Sequence, residues 1–146
     1  MVIGIIGESC TGKSTLAKAL ASRINAEVIS GKDYIRMSKN ESEAASLFRQ
    51  KLATAVHGNS IIYVITEKDQ LAFLPDQSVR IVITADLETI QERFAQRMHG
   101  NLPAPVKMML ERKHGCFDHE PCDLHLKSET LDIDQECNQI LSLLGQ

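Results

Sequence analysis

The run MVIGIIGESCTGKST, residues 1–15, decides the fold. Met1 to Ile6 is a short apolar stretch that stops at Gly7. From Lys13 to Ile24, the residues Leu16, Ala17, Leu20, Ala21 and Ile24 fall on one helical stripe, so the segment reads strand, turn, helix. The turn, Gly7-Glu8-Ser9-Cys10-Thr11-Gly12-Lys13-Ser14, satisfies G-x-x-x-x-G-K-[ST], the pattern of a phosphate-cradling loop. At ordinary residue frequencies a chance match in a chain this long has a probability of roughly 0.005. Placed between a strand and a helix, the turn aims its backbone N–H groups and the helix dipole at one point, where negative charge is stabilised. Gly7 and Gly12 permit close approach and backbone angles that a side chain blocks. Lys13 is placed to reach the β- and γ-phosphates of ATP, the Ser14 hydroxyl to ligate Mg²⁺, and Thr15 to support the turn. Cys10 reads as a spacer.

Outward from that motif, strands and helices alternate. Val28 and Ile29 form a second strand, ending at Ser30-Gly31, and Asp33 to Lys39 and Glu41 to His57 read as helices. Ile61 to Ile65 (IIYVI) and Val79 to Ile83 (VRIVI) are continuous apolar runs of the kind found in strands covered on both faces. Asp86 to Met98 is a helix capped by Asp86, and a loop from His99 to Pro105 leads to a short helix, Val106 to Lys113. Asp123 to Lys127 reads as a last strand and Asp132 to Leu144 as a closing helix. This alternation predicts an α/β, three-layer fold: a central parallel sheet of about five strands with helices on both faces, in one domain over residues 1–146. Ligands of such sheets bind beyond the carboxyl ends of the strands. The segments to search are therefore Gly7 to Lys13, Ser30 to Arg36, Thr66 to Asp69, Ala85-Asp86 and Lys127 to Thr130.

Composition excludes whole classes of function. The chain has 146 residues, 43% hydrophobic and 24% charged, with a net charge of −3, which describes an ordinary globular domain. Disordered and collagen-like chains are excluded. No apolar run reaches the roughly 18 residues that span a bilayer, and the first basic residue is Lys13, so the expectation is a cytoplasmic protein without a membrane partner. The four cysteines read as thiols, with Cys137 on an apolar helical stripe. Charge is uneven: residues 93–113 hold five basic and one acidic residue, +4, and residues 116–146 hold one basic and seven acidic, −6. The net negative charge and the absence of Trp argue against a nucleic-acid partner, and the basic stretch suits a small polyanion such as a nucleotide phosphate. His114, Cys116, His119 and Cys122 offer four potential zinc ligands within nine residues. One short loop would have to wrap the ion alone, so the segment reads as an ordinary loop.

With these residues in place, the sequence resembles the small P-loop kinases, the group of nucleoside monophosphate kinases (adenylate and cytidylate kinase) and of shikimate and gluconate kinases. The likeness covers nearly the whole chain in layout, with the phosphate loop as its specific motif. It implies an ATP- and Mg²⁺-dependent phosphotransferase whose small acceptor is a nucleoside monophosphate in a cytidylate kinase-like reading. The alternative is a nucleotide-binding regulatory module or slow NTPase without a small acceptor. The resemblance assigns the acceptor to the segment of about 33–57, with Asp33 and Arg36, at i and i+3 on one helical face, addressing it. Arg93 and Arg97, at i and i+4, resemble lid arginines that clamp phosphoryl oxygens, and a short lid would cover about 98–115, with little apolar anchoring. Two departures stand out. Ile61 to Ile65 runs into Thr66-Glu67-Lys68-Asp69 without the strand-terminal Asp common in P-loop NTPases, leaving Asp33 or Glu67, through water, to complete the Mg²⁺ shell. The Asp-Gly-x-Pro-Arg segment of adenylate kinase is also missing, which argues against adenylate as acceptor. The expected assembly is a monomer or homodimer.

Overall fold

A computed structural model describes residues 1–145. Five strands, β1 (Val2–Ile6), β2 (Glu27–Ser30), β3 (Ile61–Ile65), β4 (Val79–Thr84) and β5 (Leu124–Lys127), form one sheet in the order β2-β3-β1-β4-β5. Every neighbouring pair is parallel. The helices are α1 (Lys13–Ile24), α2 (Glu41–Ala55), α3 (Leu87–Arg97), α4 (Ala104–Lys113) and α5 (Ile133–Leu143). After β1 the chain builds β2 and β3 on one side and then crosses to build β4 and β5 on the other. The strand order therefore reverses at β1, and a crevice opens beyond its carboxyl end, where Gly7 to Lys13 lie.

Side chains of β1 alternate between two cores, as the period of a strand requires. Ile3 and Ile5 pack with Leu16 and Leu20 of α1 and with Cys137 and Ile140 of α5. Val2 and Ile6 face the layer containing Phe48 and Leu52 of α2. Both faces are covered, which is why β1 and β3 read as unbroken apolar runs.

The second core holds an aromatic cluster. Tyr34 stacks on Phe48 with ring centroids 5.1 Å apart and tilts onto Phe73 at 4.7 Å, while Phe48 meets Tyr63 edge-on at 4.9 Å. Burying a ring of this size is worth roughly 2 kcal/mol. Tyr34 thereby fixes the segment after β2, and that segment is a tight 3-10 turn, Asp33–Met37, rather than the longer helix expected to Lys39. A second 3-10 helix, Lys68–Phe73, was not anticipated. The Glu67 side chain accepts from the Gln70 backbone, and the Gln70 side chain in turn accepts from the Glu67 backbone, so the pair caps it.

Other expectations hold within a residue or two. Asp86 caps α3, accepting from the Thr89 N–H at 2.8 Å, and Asp132 caps α5, accepting from the Gln135 N–H at 2.8 Å. The weak apolar anchoring expected for the lid segment needs a correction. Leu110 is buried with Cys10, Ala85 and Ile90, and Leu102 and Val106 pack against the same cluster. Residues 98–115 are thus anchored by apolar contacts directly beside the phosphate-binding loop. Among the described residues, no helix is long and apolar enough to cross a membrane.

Candidate functional site

The loop from Gly7 to Lys13 is held by its own backbone chemistry. The Gly7 N–H donates to the Ile65 carbonyl at 3.1 Å, tying the loop to the end of β3. A Cβ on Gly7 would stand 2.5 Å from the Ile83 carbonyl oxygen and 2.8 Å from Thr11 Oγ1, so only glycine fits between these strands. Gly12, at φ 88°, opens α1 from the left-handed region, and Cys10 holds φ 63° while buried. Thr11 Oγ1 donates to the Glu8 carbonyl at 2.9 Å, and Lys13 Nζ donates to the same oxygen at 2.6 Å. Lys13 is only 6% exposed. Burial pushes its ammonium down to about 8; Cys10, Glu8 and Glu67 pull it back up while Arg97 pushes with burial.

Ser14 and Thr15 stand exposed on the first turn of α1. Among the described residues no three His, Cys, Asp or Glu side chains gather into a metal centre. The exposed Ser14 hydroxyl suits a cation otherwise held by phosphate and water oxygens, the pattern Mg²⁺ favours. Of the two acids considered for that shell, Glu67 is engaged: its Oε1 accepts from Lys113 Nζ at 2.8 Å. Asp33 is exposed on its 3-10 turn.

The phosphate-binding loop separates two concavities. On the β4–β5 side a cleft of about 620 Å³ is bounded by Cys10, Gly12 and Thr15 of the loop, by Arg93 and Arg97 of α3, and by the start of α5. On the β3 side a more enclosed pocket of about 340 Å³ lies between Glu8 and Ser9, the end of β3 at Thr66 to Lys68, and Met109, Arg112 and Lys113 of α4. Asp33 and Arg36 follow the neighbouring strand β2, so they sit at the same end and on the same side of the sheet as the smaller pocket, though neither lines it. A further groove of about 670 Å³, with Asn25, Lys51 and Asn59 on its walls, opens at the amino ends of β2 and β3, away from the loop.

The structure places Arg93 and Arg97 beside the loop, on one wall of the β4–β5 cleft. Arg93 is half-buried, and its Nη1 donates to the Cys10 carbonyl at 3.0 Å and to Ser128 Oγ at 2.8 Å. Arg97 is exposed on the same wall of the cleft.

Two acids take parts in the site that the sequence did not give them: Glu8, expected only as a member of the phosphate-cradling loop, and Glu136, which went unassigned. Glu8 is 7% exposed; its Oε1 meets His114 Nδ1 at 3.2 Å and its Oε2 accepts from the Gly115 N–H at 3.2 Å, so the loop itself grips the end of α4. Glu136 of α5 lines the larger cleft and is 4% exposed, with Oε2 lacking any hydrogen-bond partner. Burial holds its carboxyl up to about 7, with Arg93 opposing and Asp132 adding to the rise. Glu136 had a sequence signal: an acid at i+3 from Ile133 and i−4 from Ile140, on the apolar stripe. Glu8 had none, because its partners lie 106 and 107 residues away. Of the four zinc-type side chains, His114 faces Glu8, Cys116 packs against the second core, and His119 and Cys122 are exposed.

A family model described as ATPase family associated with various cellular activities (AAA) matches residues 3–99, which include the whole loop, β1 from Ile3, β2 to β4 and α3. No curated protein matches the sequence. Solved structures share the fold. A sugar kinase from a Janibacter species is 18% identical at a TM-score of 0.68, covering 99% of this chain and 94% of its own. A gluconokinase from Sinorhizobium meliloti is 13% identical at 0.66, covering 99% and 91%. A shikimate kinase from Bacteroides thetaiotaomicron is 16% identical at 0.66, covering 100% and 99%.

Proposed function

Since the chain belongs to the ATPase family associated with various cellular activities, we propose that it binds ATP at its P-loop and transfers the terminal phosphoryl group to a small acceptor. The observation that carries this reading is the pair of concavities flanking one phosphate cradle. A module that only binds or hydrolyses ATP needs one of them; a phosphotransferase needs both, with the transferring group between. In this reading the cleft on the β4–β5 side seats the nucleoside and the β3-side pocket admits the acceptor. Lys13 and the loop N–H groups hold the β- and γ-phosphates, and Arg93 and Arg97 face them from α3, where guanidinium groups stabilise charge that develops on phosphoryl oxygens. Mg²⁺ carried in with ATP, held on the protein side by Ser14, supplies charge neutralisation of the phosphates. An acceptor that extends from that pocket toward the end of β2 meets Asp33, which accepts the proton of its hydroxyl, and Arg36, which offsets its charge.

The enclosed pocket is near the lower end of small-molecule sites, which run from roughly 300 to 1,000 Å³. Lys113 is paired with Glu67, which leaves Lys68 and Arg112 as cations on its wall. That combination supports a compact hydroxylated anion, a sugar acid or hydroxy acid, in line with the gluconate and shikimate kinases that share the fold. A nucleoside monophosphate is the second reading, favoured by Arg36 as an extra cation on the same side of the sheet.

The test is ADP production with ATP, Mg²⁺ and a panel of sugar acids, hydroxy acids and nucleoside monophosphates. Asp33→Asn and Arg36→Ala should leave ATP affinity within about threefold and cut acceptor-dependent turnover by roughly a hundredfold. ADP release indifferent to every acceptor, and to both substitutions, would reduce the protein to a nucleotide-binding module.

A further inference from the structure

Glu136 is out of character for its surroundings. It sits on the inward stripe of α5, beside Cys137 and between Ile133 and Ile140, where an apolar side chain would pack without cost. No cation lies within ion-pair distance of it among the described residues. Arg93 donates to Cys10 and Ser128, Arg97 stands across the cleft, Asp132 is occupied as the helix cap, and Arg23 pairs with Asp134. One carboxyl oxygen is sealed from solvent without a partner, and the residue forms part of the wall of the larger cleft.

That cleft runs from Gly12 and Thr15, at the phosphate end, to the first turns of α5, with Leu131 and Ile133 as apolar walls. A nucleotide whose phosphates lie in the P-loop lays its base on such walls. We propose that Glu136 reads the base of the bound nucleotide, its carboxyl taking the amino edge of adenine. This rests on the reading of the cleft as the nucleoside seat.

Chemistry selects adenine. A neutral carboxyl offers one O–H donor and one carbonyl acceptor, which complement the ring N1 acceptor and 6-amino donor of adenine. An ionised carboxylate offers acceptors only and complements guanine, whose N1–H and 2-amino group are both donors. Burial keeps Glu136 neutral up to about pH 7, the state that suits adenine.

The experiment is calorimetric titration, at pH 6.5 and 8.5, of ATP, GTP, 2′-deoxy-ATP and purine riboside triphosphate, which is ATP without its 6-amino group. The wild-type protein should prefer ATP to purine riboside triphosphate by about tenfold at pH 6.5, the scale of a lost buried hydrogen-bond pair, and bind 2′-deoxy-ATP as well as ATP. Glu136→Met, an apolar replacement for an apolar stripe, should erase that preference. Glu136→Gln, whose amide presents the same donor and acceptor, should keep it and should prefer ATP to GTP equally at both pH values. The wild-type preference for ATP over GTP should instead shrink at pH 8.5, where an ionised carboxylate meets the two donors of guanine. If Glu136→Met does not fold, the wild-type and Glu136→Gln pH comparison decides alone. A preference absent from the wild type, one that survives Glu136→Met, or a loss confined to 2′-deoxy-ATP overturns the assignment, the last pointing to the ribose. ATP binding that is absent, or indifferent to Lys13→Ala, sinks the functional reading instead.

Discussion

Lys13 gives the P-loop a pH limit that can be worked out from its burial. A phosphate-binding lysine must be charged, yet this one is held down to about 8 by its surroundings. About nine-tenths of the molecules then carry the charge at pH 7 and about one-tenth at pH 9. Bound phosphate raises the pKa again, so the free protein controls the titration, and apparent affinity scales with its competent fraction. The dissociation constant for ATP without Mg²⁺ should therefore rise roughly tenfold between pH 7 and pH 9, measured by calorimetry. Lys13→Arg, charged throughout, should bind more weakly overall with a flat profile across the same range. A flat wild-type profile, or the same rise in Lys13→Arg, would refute the reasoning. The sign for stability is the opposite. Between about pH 8 and 10.5 the unfolded chain holds a proton that the folded chain lacks, so folding strengthens as pH rises through that window. Lys13→Met should remove that slope and be no less stable than the wild type at pH 7.

Gly7→Ala drives a methyl group into the Ile83 carbonyl at 2.5 Å, a backbone atom with nowhere to move, and should cost at least about 2 kcal/mol in a urea melt; a change under half of that would show that the loop yields. Glu8→Ala releases the end of α4 at His114 and Gly115, so limited proteolysis within residues 98–115 should accelerate several-fold in the free protein and slow again with an ATP analogue. Equal cleavage in all states would mean that Leu110 and Val106 hold the segment by themselves. Glu136 titrates near 7 folded and near 4.5 unfolded, so its contribution to stability is full below about pH 4.5 and lost as pH rises through about 7. Thermal melts of Glu136→Gln should lack that decline relative to the wild type.

What the sequence discloses is what local chemistry encodes. The P-loop, the Asp86 and Asp132 caps and the buried runs of β1 and β3 are each determined within a few residues, and each was legible. Arg93 and Arg97 were legible as a pair because helical spacing is local, but the partners of Arg93 at Cys10 and Ser128 depend on the placement of β5 beside β4. Where periodicity misled, a tertiary contact had overruled it. The helix expected from Asp33 to Lys39 tightens to a 3-10 turn because Tyr34 docks among Phe48, Tyr63 and Phe73, which come from three later elements. The basic segment invited a reading as a loosely attached flap. Leu102, Val106 and Leu110 are spaced every four residues, an apolar stripe that the charge count concealed.

The uneven charge of the chain acquires a spatial cause from the same packing. Three of the seven acids in residues 116–146 are spent on structure: Asp123 accepts from the Arg80 N–H, Asp132 caps α5, and Asp134 pairs with Arg23. The cations of residues 93–113 are carried to the site instead, because α3 and α4 pack as a pair on Cys10 and Ala85 beside the loop. Arg93 and Arg97 face one cleft, and Arg112 and Lys113 face the other. A protein of net charge −3 thereby presents a cationic ring around its P-loop, the setting that the proposed phosphoryl transfer to an anionic acceptor calls for. Glu8 and Glu67 complete the arrangement from within the ring. By holding His114 and Lys113, they fix the end of α4 over the smaller pocket, and the Glu67–Lys113 ion pair decides which of its cations stay free for the proposed acceptor.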